Sequence, residues 1–368
     1  MAMESKLAII PAPGEAVRLE TRALPEMEPG AVLLRTLYSE VCGTDCHLFH
    51  GKLAGVPYPL TPGHVSVGEI AAMHGTLKDL DGQEFREGDV VGFFDVHETC
   101  GDCWHCLVGK AATRCPERRV YGITYGTEDG LLGGWSEYVY LKPGVKLLRL
   151  PEGLSPRAYI AGGCGMPTGF HAVERAQIQL GDTVVIQGSG PVGLNAVVFA
   201  RMAGAGEVIL LGAPEKRLAL GRPFGADEVI DIQGLDAEQR VGAILTLTQG
   251  RGADVVIEAS GAPQAVAEGV RMARDGGRYV IVGQYTDNGD VSLNPHLHIN
   301  KKHLDIRGCW GSEFTHFYRG AKMMARSAAT VDWEAMISRS YGLSEAGQAL
   351  ADVEHLRVIK AVIDPRLP

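Results

Sequence analysis

The stretch TVVIQGSGPVGLNAVVFARMA, residues 183–203, decides the fold class of this chain. A short β-branched run leads into Gly188, Gly190 and Gly193, and an apolar helical pattern follows at once. Between a strand and a helix, GxGxxG is the turn that binds a dinucleotide. Gly188 permits the tight turn, Gly190 lets backbone amides approach a pyrophosphate, and Gly193 allows the helix to pack closely on the strand. Because the helix N-terminus then faces the phosphate charge, the motif predicts dinucleotide binding.

Similar β-branched runs recur after this motif, with segments of roughly 15–25 residues between them. The runs are TVVIQG, GEVILLG, DEVIDI, DVVIEAS and GRYVIVG. Alternation of strands and helices predicts an α/β fold with a doubly wound parallel sheet of the Rossmann type.

The second of these runs ends at Gly212, where a carboxylate would hold the ribose hydroxyls of NAD. A glycine leaves room for a 2′-phosphate, with which Lys216 or Arg217 could pair, while Glu215 is a possible substitute acid. The two basic residues could equally form a solvated first helical turn. The choice between NAD and NADP therefore stays open.

Four of the eight cysteines form the pattern Cys100-x2-Cys103-x2-Cys106-x8-Cys115. Gaps of two residues on a tight loop can turn successive thiolates toward one point, and a fourth thiolate then closes a tetrahedron around Zn²⁺. The alternative is a set of unliganded thiols on a surface loop. A closed four-thiolate site has no open position, so the pattern predicts a structural zinc.

Cys42, His64 and Cys164 lie farther apart, each beside a glycine. Taken singly, such residues are more often structural than ligating. Together they offer two thiolates and an imidazole, and three ligands leave the fourth position of zinc open for water or substrate. If they converge in space, they form a catalytic metal site.

Composition limits the class of protein. The 368 residues carry 35 basic and 44 acidic side chains, a formal charge of −9, and 48 glycines, roughly twice the usual share. This length predicts two or three folding units. Net acidity without a basic tract argues against nucleic-acid binding, and the longest uncharged stretch, residues 183–200, is too rich in glycine and polar residues for a membrane span. The first residues lack the pattern of an export signal, so we expect a cytoplasmic protein.

The chain resembles the zinc-dependent medium-chain alcohol dehydrogenases over nearly its whole length. The matching landmarks are VCGTDCH (41–47), PGHVSVGE (62–69), GDVV (88–91), the four-cysteine loop, GGWSEYV (133–139), GCGMPTGFHA (163–172), QGSGPVG (187–193), VIEASG (256–261) and VIKAVIDP (358–365). The resemblance implies a mainly β, GroES-like catalytic domain over residues 1–165, completed by 304–368. It also implies a Rossmann domain over residues 166–303 and a homodimer or homotetramer.

The resemblance also implies roles for single residues. Cys42, His64 and Cys164 resemble the catalytic zinc ligands, and the four cysteines of the loop resemble the structural ones. Thr44 resembles the hydroxyl that receives the alcohol proton and His47 the next member of that relay.

Further positions match residues around the ligands and the cofactor. Asp45 resembles the carboxylate that orients the zinc-bound imidazole. Thr168 and Val192 resemble residues at the nicotinamide, Lys360 the cation near the pyrophosphate, and Arg217 a basic residue at the adenosine ribose.

Two further positions bear on the site. The family usually has glutamate after the ligand histidine, where this chain has Val65, so a carboxylate that could approach the metal is absent there. Trp135 matches an aromatic position that lines the substrate channel in relatives, although a buried aromatic in a strand would give the same pattern.

The sequence predicts the reversible oxidation of a primary or secondary alcohol to an aldehyde or ketone, with hydride transfer to NAD or NADP and a slight preference for NAD. An NADPH-dependent carbonyl or enone reductase is an alternative. A third hypothesis is a non-catalytic module that binds zinc and a dinucleotide, since one fold hosts many functions.

Overall fold

The structure, a computed structural model, describes residues 4–368 and divides them into two compact units. The first unit contains the described residues up to Cys164 together with Glu313–Ala328 and Trp333–Pro368, and the second contains Gly165–Ser312 and Ala329–Asp332. The sequence predicted that the chain passes from the Rossmann domain back to the catalytic domain near residue 304. The structure places this return later, because a strand over Asp305–Gly308 still belongs to the sheet of the second unit.

The first unit is mainly β. Its strands up to residue 164 are β1 (Glu4–Ile9), β2 (Arg18–Ala23), β3 (Val32–Val41), β4 (Ser66–Met73), β5 (Val90–Phe93), β6 (Val96–Glu98), β7 (Arg119–Val120), β8 (Tyr138–Leu141) and β9 (Leu147–Arg149), and its helices are α1 (Gly43–Phe49), α2 (Trp104–Leu107) and α3 (Pro156–Gly162). Helix α3 begins at Pro156, after Ser155 accepts a hydrogen bond from the Ala158 amide as N-cap. It ends at Gly162, and its C-cap Gly163 is the residue before Cys164.

The second unit alternates strands and helices as the sequence predicts. Its elements are α4 (Gly165–Ala176), β10 (Thr183–Gln187), α5 (Pro191–Met202), β11 (Glu207–Gly212), α6 (Glu215–Leu218), β12 (Glu228–Asp231), α7 (Ala237–Leu247), β13 (Ala253–Glu258), α8 (Pro263–Met272), β14 (Ala273–Ile281) and β15 (Asp305–Gly308). Within residues 4–368 these strands form one parallel sheet in the order β12-β11-β10-β13-β14-β15. The order reverses direction between β10 and β13, and ligands of such sheets bind at this point, beyond the carboxyl ends of the strands.

The chain then adds α9 (Phe314–Ser327), β16 (Ile337–Tyr341), α10 (Ala346–Glu354) and β17 (Lys360–Ile363) to the first unit. Strand β17 pairs with the C-terminal part of β3, so that Ala361 lies opposite Val41. The resulting sheet has the order β16-β17-β3-β4-β5-β9, and β8 pairs with the N-terminal part of β3. Strand β3 thus lies centrally, and its end brings Cys42 to the middle of the unit.

Each unit has its own apolar core. The first packs residues such as Leu34, Phe93 and Tyr121 against its sheet, and the second packs Val185 and Val256 between sheet and helices. Among residues 4–368, no helix is long and apolar enough to cross a membrane.

Candidate metal centres and dinucleotide site

The four-cysteine loop brings its sulfurs together. Cys103 precedes α2, Cys106 lies on it, and Cys100 and Cys115 flank it. The Sγ atoms of Cys103 and Cys106 are 3.6 Å apart, those of Cys100 and Cys115 3.5 Å, and those of Cys100 and Cys106 4.0 Å. These cysteines are free thiols. Tetrahedral ligands at about 2.3 Å from zinc lie roughly 3.8 Å apart, so the donor set fits Zn²⁺.

Cys42, His64 and Cys164 also converge, although they come from three separate segments. Cys42 follows β3 and is the N-cap of α1, His64 lies in the loop before β4, and Cys164 follows α3. One ligand atom of each lies within 4.8 Å of those of the other two. Cys42 and His64 are buried, and Cys164 is half-buried. Two sulfurs and one imidazole at this spacing suit zinc with an open fourth position.

The surroundings of Cys164 favour a thiolate. A hydrogen bond from Cys42 lowers the pKa of the Cys164 thiol, and His64 and the charge of Lys360 act in the same direction, while burial and the charge of Glu40 oppose the shift. His64 Nδ1 is buried and has no hydrogen-bond partner within the described chain. A buried imidazole with an unpartnered nitrogen, beside a stabilised thiolate, is chemically suited to a metal ion.

The resemblance implies that Asp45 orients the His64 imidazole, but within residues 4–368 neither Asp45 Oδ1 nor His64 Nδ1 has a hydrogen-bond partner. Asp45 Oδ2 accepts the Cys42 N–H at 2.8 Å, because Asp45 is the third residue of α1 and caps the start of that helix. Burial raises the pKa of Asp45 to about 6, while the His64 charge opposes the shift. Asp45 therefore fixes the backbone of one donor and acts on another through its charge.

Helix α1 carries the two residues of the predicted proton relay. Thr44 and His47 lie one turn apart, and both are half-buried. Burial lowers the pKa of His47, and the charges of Lys52 and His50 lower it further. An imidazole with a lowered pKa is neutral at neutral pH and can accept a proton.

The glycine motif has the geometry that the sequence predicts. Gly188 follows β10 at a φ of +113°, and Gly190 is the N-cap of α5. A Cβ at Gly188 would lie 2.7 Å from the Ala259 carbonyl oxygen in the loop after β13, and one at Gly193 would collide with the Gly188 carbonyl. The turn therefore excludes side chains at both positions, and its amides lie at the point where the strand order reverses.

The space above Gly212 is filled, which corrects one sequence-based expectation. A Cβ at Gly212 would lie 2.6 Å from Ser189 Cβ and 2.7 Å from Ser189 N, so glycine is required for packing and does not open a pocket. The Ser189 hydroxyl donates to the Ala213 carbonyl at 3.2 Å. Arg217 Nη1 lies 3.8 Å from the Cβ position of Gly190, whereas Glu215 and Lys216 are exposed. Of the charged residues after β11, Arg217 is thus the one near the glycine turn.

The other predicted cofactor residues fall in different places. Thr168 lies on α4 and Val192 in the first turn of α5, both half-buried. Lys360 differs from the prediction. Its ammonium is 1% exposed and forms an ion pair with Glu40, so it is not presented to a pyrophosphate.

Trp135 is likewise not a channel residue. Its side chain is fully buried, packs in a core with Val41 and Tyr341, and donates from Nε1 to the Glu40 carbonyl at 3.0 Å. The buried-aromatic alternative is therefore correct, and Trp135 gives no information about the shape of the substrate pocket.

Sequence reasoning missed two buried carboxylates. Glu40 lies near the end of β3, two residues before Cys42, and this closeness to a predicted metal ligand was the available signal. Glu258 ends β13, where its Oε1 accepts from the amides of Ser260 and Gly261 at 2.7 Å and its Oε2 from Gly283 at 3.1 Å. Glu258 fixes two loops at the carboxyl edge of the sheet.

Family models match both halves of the chain. An alcohol dehydrogenase GroES-like domain matches residues 28–152, and a zinc-binding dehydrogenase model matches residues 191–326. A relative from Pseudomonas putida, 5-exo-hydroxycamphor dehydrogenase, is 31% identical over 357 residues, which cover 96% of this chain and 97% of the relative. The chain belongs to the zinc-dependent medium-chain alcohol dehydrogenase family.

Solved structures agree with this assignment. An alcohol dehydrogenase from Thermotoga maritima has a TM-score of 0.92 and 30% identity, with 98% of this chain and 99% of that one covered. A Sinorhizobium meliloti 1021 protein, described as a zinc-binding dehydrogenase and solved with NADP bound, has a TM-score of 0.85 and 26% identity, with 99% and 100% covered.

The zinc-dependent alcohol dehydrogenase assignment confirms several predictions. The GroES-like domain and Rossmann-type sheet are as predicted. As a family member the protein is an enzyme, an oxidoreductase of alcohols that acts on a small molecule with zinc and a nicotinamide cofactor. The hypothesis of a non-catalytic module is therefore wrong.

Proposed function

We propose that the protein oxidises an alcohol to an aldehyde or ketone at a zinc ion held by Cys42, His64 and Cys164. The observation that carries this proposal is the convergence of these donors, which leave one coordination position for the substrate oxygen. A second zinc, in the four-cysteine loop, has no open position and is structural.

Each residue of the site then has a defined task. When bound, zinc supplies Lewis acidity, which lowers the pKa of a coordinated hydroxyl. Thr44 accepts the proton of the alcohol and His47 passes it toward solvent, since both lie on one face of α1. Asp45 holds the Cys42 backbone so that its thiolate stays in place. The glycine turn at Gly188–Gly193 would hold the pyrophosphate of a nicotinamide cofactor, which would supply the hydride acceptor of the reaction.

Metal analysis combined with one substitution tests the site. The wild-type chain should contain two zinc ions, and His64→Ala should contain one and lose alcohol-dependent reduction of the cofactor. His105→Ala is the matched control, because His105 lies on α2 and is not among the grouped donors. Two zinc ions and near-full activity in His64→Ala would contradict the assignment.

Cofactor choice separates the leading function from a second candidate, an NADPH-dependent carbonyl or enone reductase. The Ser189 side chain packed over Gly212 favours the smaller ribose diol of NAD. Arg217 near the glycine turn, and the NADP bound to the Sinorhizobium meliloti relative, favour the alternative. The ratio of kcat/KM for NAD and NADP decides between them. If Arg217 binds a 2′-phosphate, Arg217→Ala should reduce NADP use about tenfold or more while NAD use changes little.

The assembly, location and substrate class complete the proposal. The enzyme forms a homodimer or homotetramer in the cytoplasm, where a reducing environment keeps the six cysteines of the two donor groups available for metals. Its relative from Pseudomonas putida is named for hydroxycamphor, a secondary alcohol, and secondary alcohols are the first class to screen. Light scattering, cell fractionation and a panel of primary and secondary alcohols test these three points.

A further inference from the structure

A buried ion pair between Glu40 of β3 and Lys360 of β17 lies beside the three-donor site. Glu40 Oε1 pairs with Lys360 Nζ, and both side chains are 1% exposed. Removing two charges from water is costly, and replacing such a pair by apolar residues is often neutral or stabilising. A buried pair in this position therefore calls for an explanation other than stability alone.

Glu40 contacts Cys164 through both carboxylate oxygens. Oε2 accepts the Cys164 N–H at 2.5 Å, and Oε1 lies 3.4 Å from Cys164 Sγ. Lys360 donates to the same carboxylate and also lies 3.4 Å from the Gly162 carbonyl. The pair thus contacts both ends of the turn at residues 162–164, and this turn contains the third metal donor, Cys164.

The turn is built closely around this pair. Gly163 has a φ of +50°, and a Cβ there would collide with the Glu40 carboxylate and the Lys360 ammonium. The glycine is therefore required by the approach of the two charged groups.

The backbone of Glu40 is fixed from three sides. Its carbonyl accepts from Trp135 Nε1, its N–H donates to the Val65 carbonyl at 3.1 Å, and its strand position lies opposite Val362 of β17. Because Val65 follows His64, Glu40 is linked to the segments of two donors and precedes the third by two residues. Val65 itself is buried and apolar, and the carboxylate that contacts Cys164 comes from β3.

We infer that Glu40 is a positioning residue for the third metal donor: held by Lys360, it orients Cys164 and determines how firmly the three-donor site retains zinc. Glu40 is outside the group of mutually close ligand atoms, so it acts through Cys164. This inference rests on the proposed function of Cys42, His64 and Cys164 as zinc ligands.

Two double variants isolate the contact. Glu40→Gln with Lys360→Met keeps an acceptor for the Cys164 N–H, whereas Glu40→Met with Lys360→Met removes it, and neither leaves a buried charge unpaired. Purified enzyme is mixed with a chromogenic zinc chelator, and the release of each zinc is followed over time from the absorbance of the chelator. We expect the methionine variant to release the zinc of the three-donor site about 10- to 100-fold faster than wild type, and the glutamine variant within about threefold of wild type.

The four-cysteine loop is an internal reference, because its zinc should leave every variant at the wild-type rate. The visible absorption of cobalt bound at the three-donor site gives a second readout, which should change in the methionine variant alone. Glu268→Gln, which weakens the ion pair of the buried Glu268 with the half-buried Arg240, controls for a general loss of stability.

The outcomes separate this inference from the function on which it rests. Equal release rates and equal cobalt spectra in the two double variants would overturn the role of Glu40. A wild-type enzyme with only the zinc of the four-cysteine loop would instead overturn the proposed three-donor site.

Discussion

The two sets of metal donors differ in how far apart their residues lie in the chain. The first and last cysteines of the loop are 15 residues apart, and all four lie on a partly exposed segment around a single turn of helix. Cys42, His64 and Cys164 come from the end of a central strand, a loop and the end of a helix, and they meet in the interior. The four cysteines come together as soon as their loop forms. Cys42, His64 and Cys164 come together only when the first unit has folded.

This difference assigns the two sites different tasks. Metal binding to a loop with few apolar contacts contributes directly to its folding, on the order of 10 kcal/mol for small zinc domains. The buried set is already held by the sheet around it, so a zinc bound there, as proposed above, would not be needed to order a loop. Loss of a donor should therefore affect activity at one site and stability at the other.

The largest effect is expected for a donor of the buried set. Cys164→Ser should lower kcat/KM by at least about a thousandfold, because several kcal/mol of charge stabilisation are lost and each 1.36 kcal/mol is a factor of ten. The melting temperature should fall by only a few degrees. Steady-state kinetics and calorimetry check both values, and a large loss of stability with activity retained would reverse the assignment of the two sites.

Cys103→Ser should show the opposite pattern. One zinc is lost and the melting temperature falls by roughly 5–10 °C, while activity at 25 °C stays within about tenfold of wild type. Metal content and calorimetry of the purified variant provide the measurement. An unchanged melting temperature would show that the four-cysteine loop needs no metal.

Gly163→Ala tests how tightly the turn before Cys164 is built. Left-handed backbone strain and the collision with Glu40 and Lys360 should together destabilise the enzyme by about 2–4 kcal/mol. Gly153→Ala is the matched control, since Gly153 also has a positive φ but has nothing within 4 Å of its Cβ position, so only about 1 kcal/mol is expected. Urea unfolding of the two variants gives the difference, and equal losses would mean that the collision is relieved without penalty.

The smallest effect concerns pH. Burial lowers the pKa of His47 from its ordinary 6.5, and Lys52 lowers it further, so His47 stays neutral and able to accept a proton below that pH. The acidic limb of the kcat profile should therefore lie below pH 6.5. Removing one positive charge in Lys52→Gln should move that limb upward, whereas Lys146→Gln, on an exposed segment of the same unit, should leave it in place. A limb that moves downward in Lys52→Gln would exclude His47 as the proton acceptor.

The sequence predicted features that depend on neighbouring residues. The turn at Gly188–Gly193 and the spacing from Cys100 to Cys115 carry their own geometry, so both could be recognised without a fold. The boundary near residue 304 was misplaced because β15 contains only four residues and two of them, Asp305 and Arg307, are charged.

The features that the sequence did not predict depend on contacts between residues far apart in the chain. Trp135 could line a channel or fill a core, and only its packing against Val41 and Tyr341 decides this. Lys360 and Glu40 each look like an isolated charge in a strand, and the pairing of β17 with β3 brings them together. The role of Gly212 followed from Ser189, 23 positions earlier, whose side chain occupies the space in question.

The pairing of Glu40 with Lys360 also sets an order of events during synthesis. Lys360 follows Glu40 by 320 residues, so at 5–20 residues per second it leaves the ribosome about 15–60 s later. Cys115 follows Cys100 by 15 residues, or about 1–3 s at the same rate. The four donors of the loop can thus come together while the chain is still growing, whereas the proposed catalytic site would be completed only when β17 reaches the sheet. A ribosome-bound chain that stops before β17 should accordingly hold one zinc ion and lack the second.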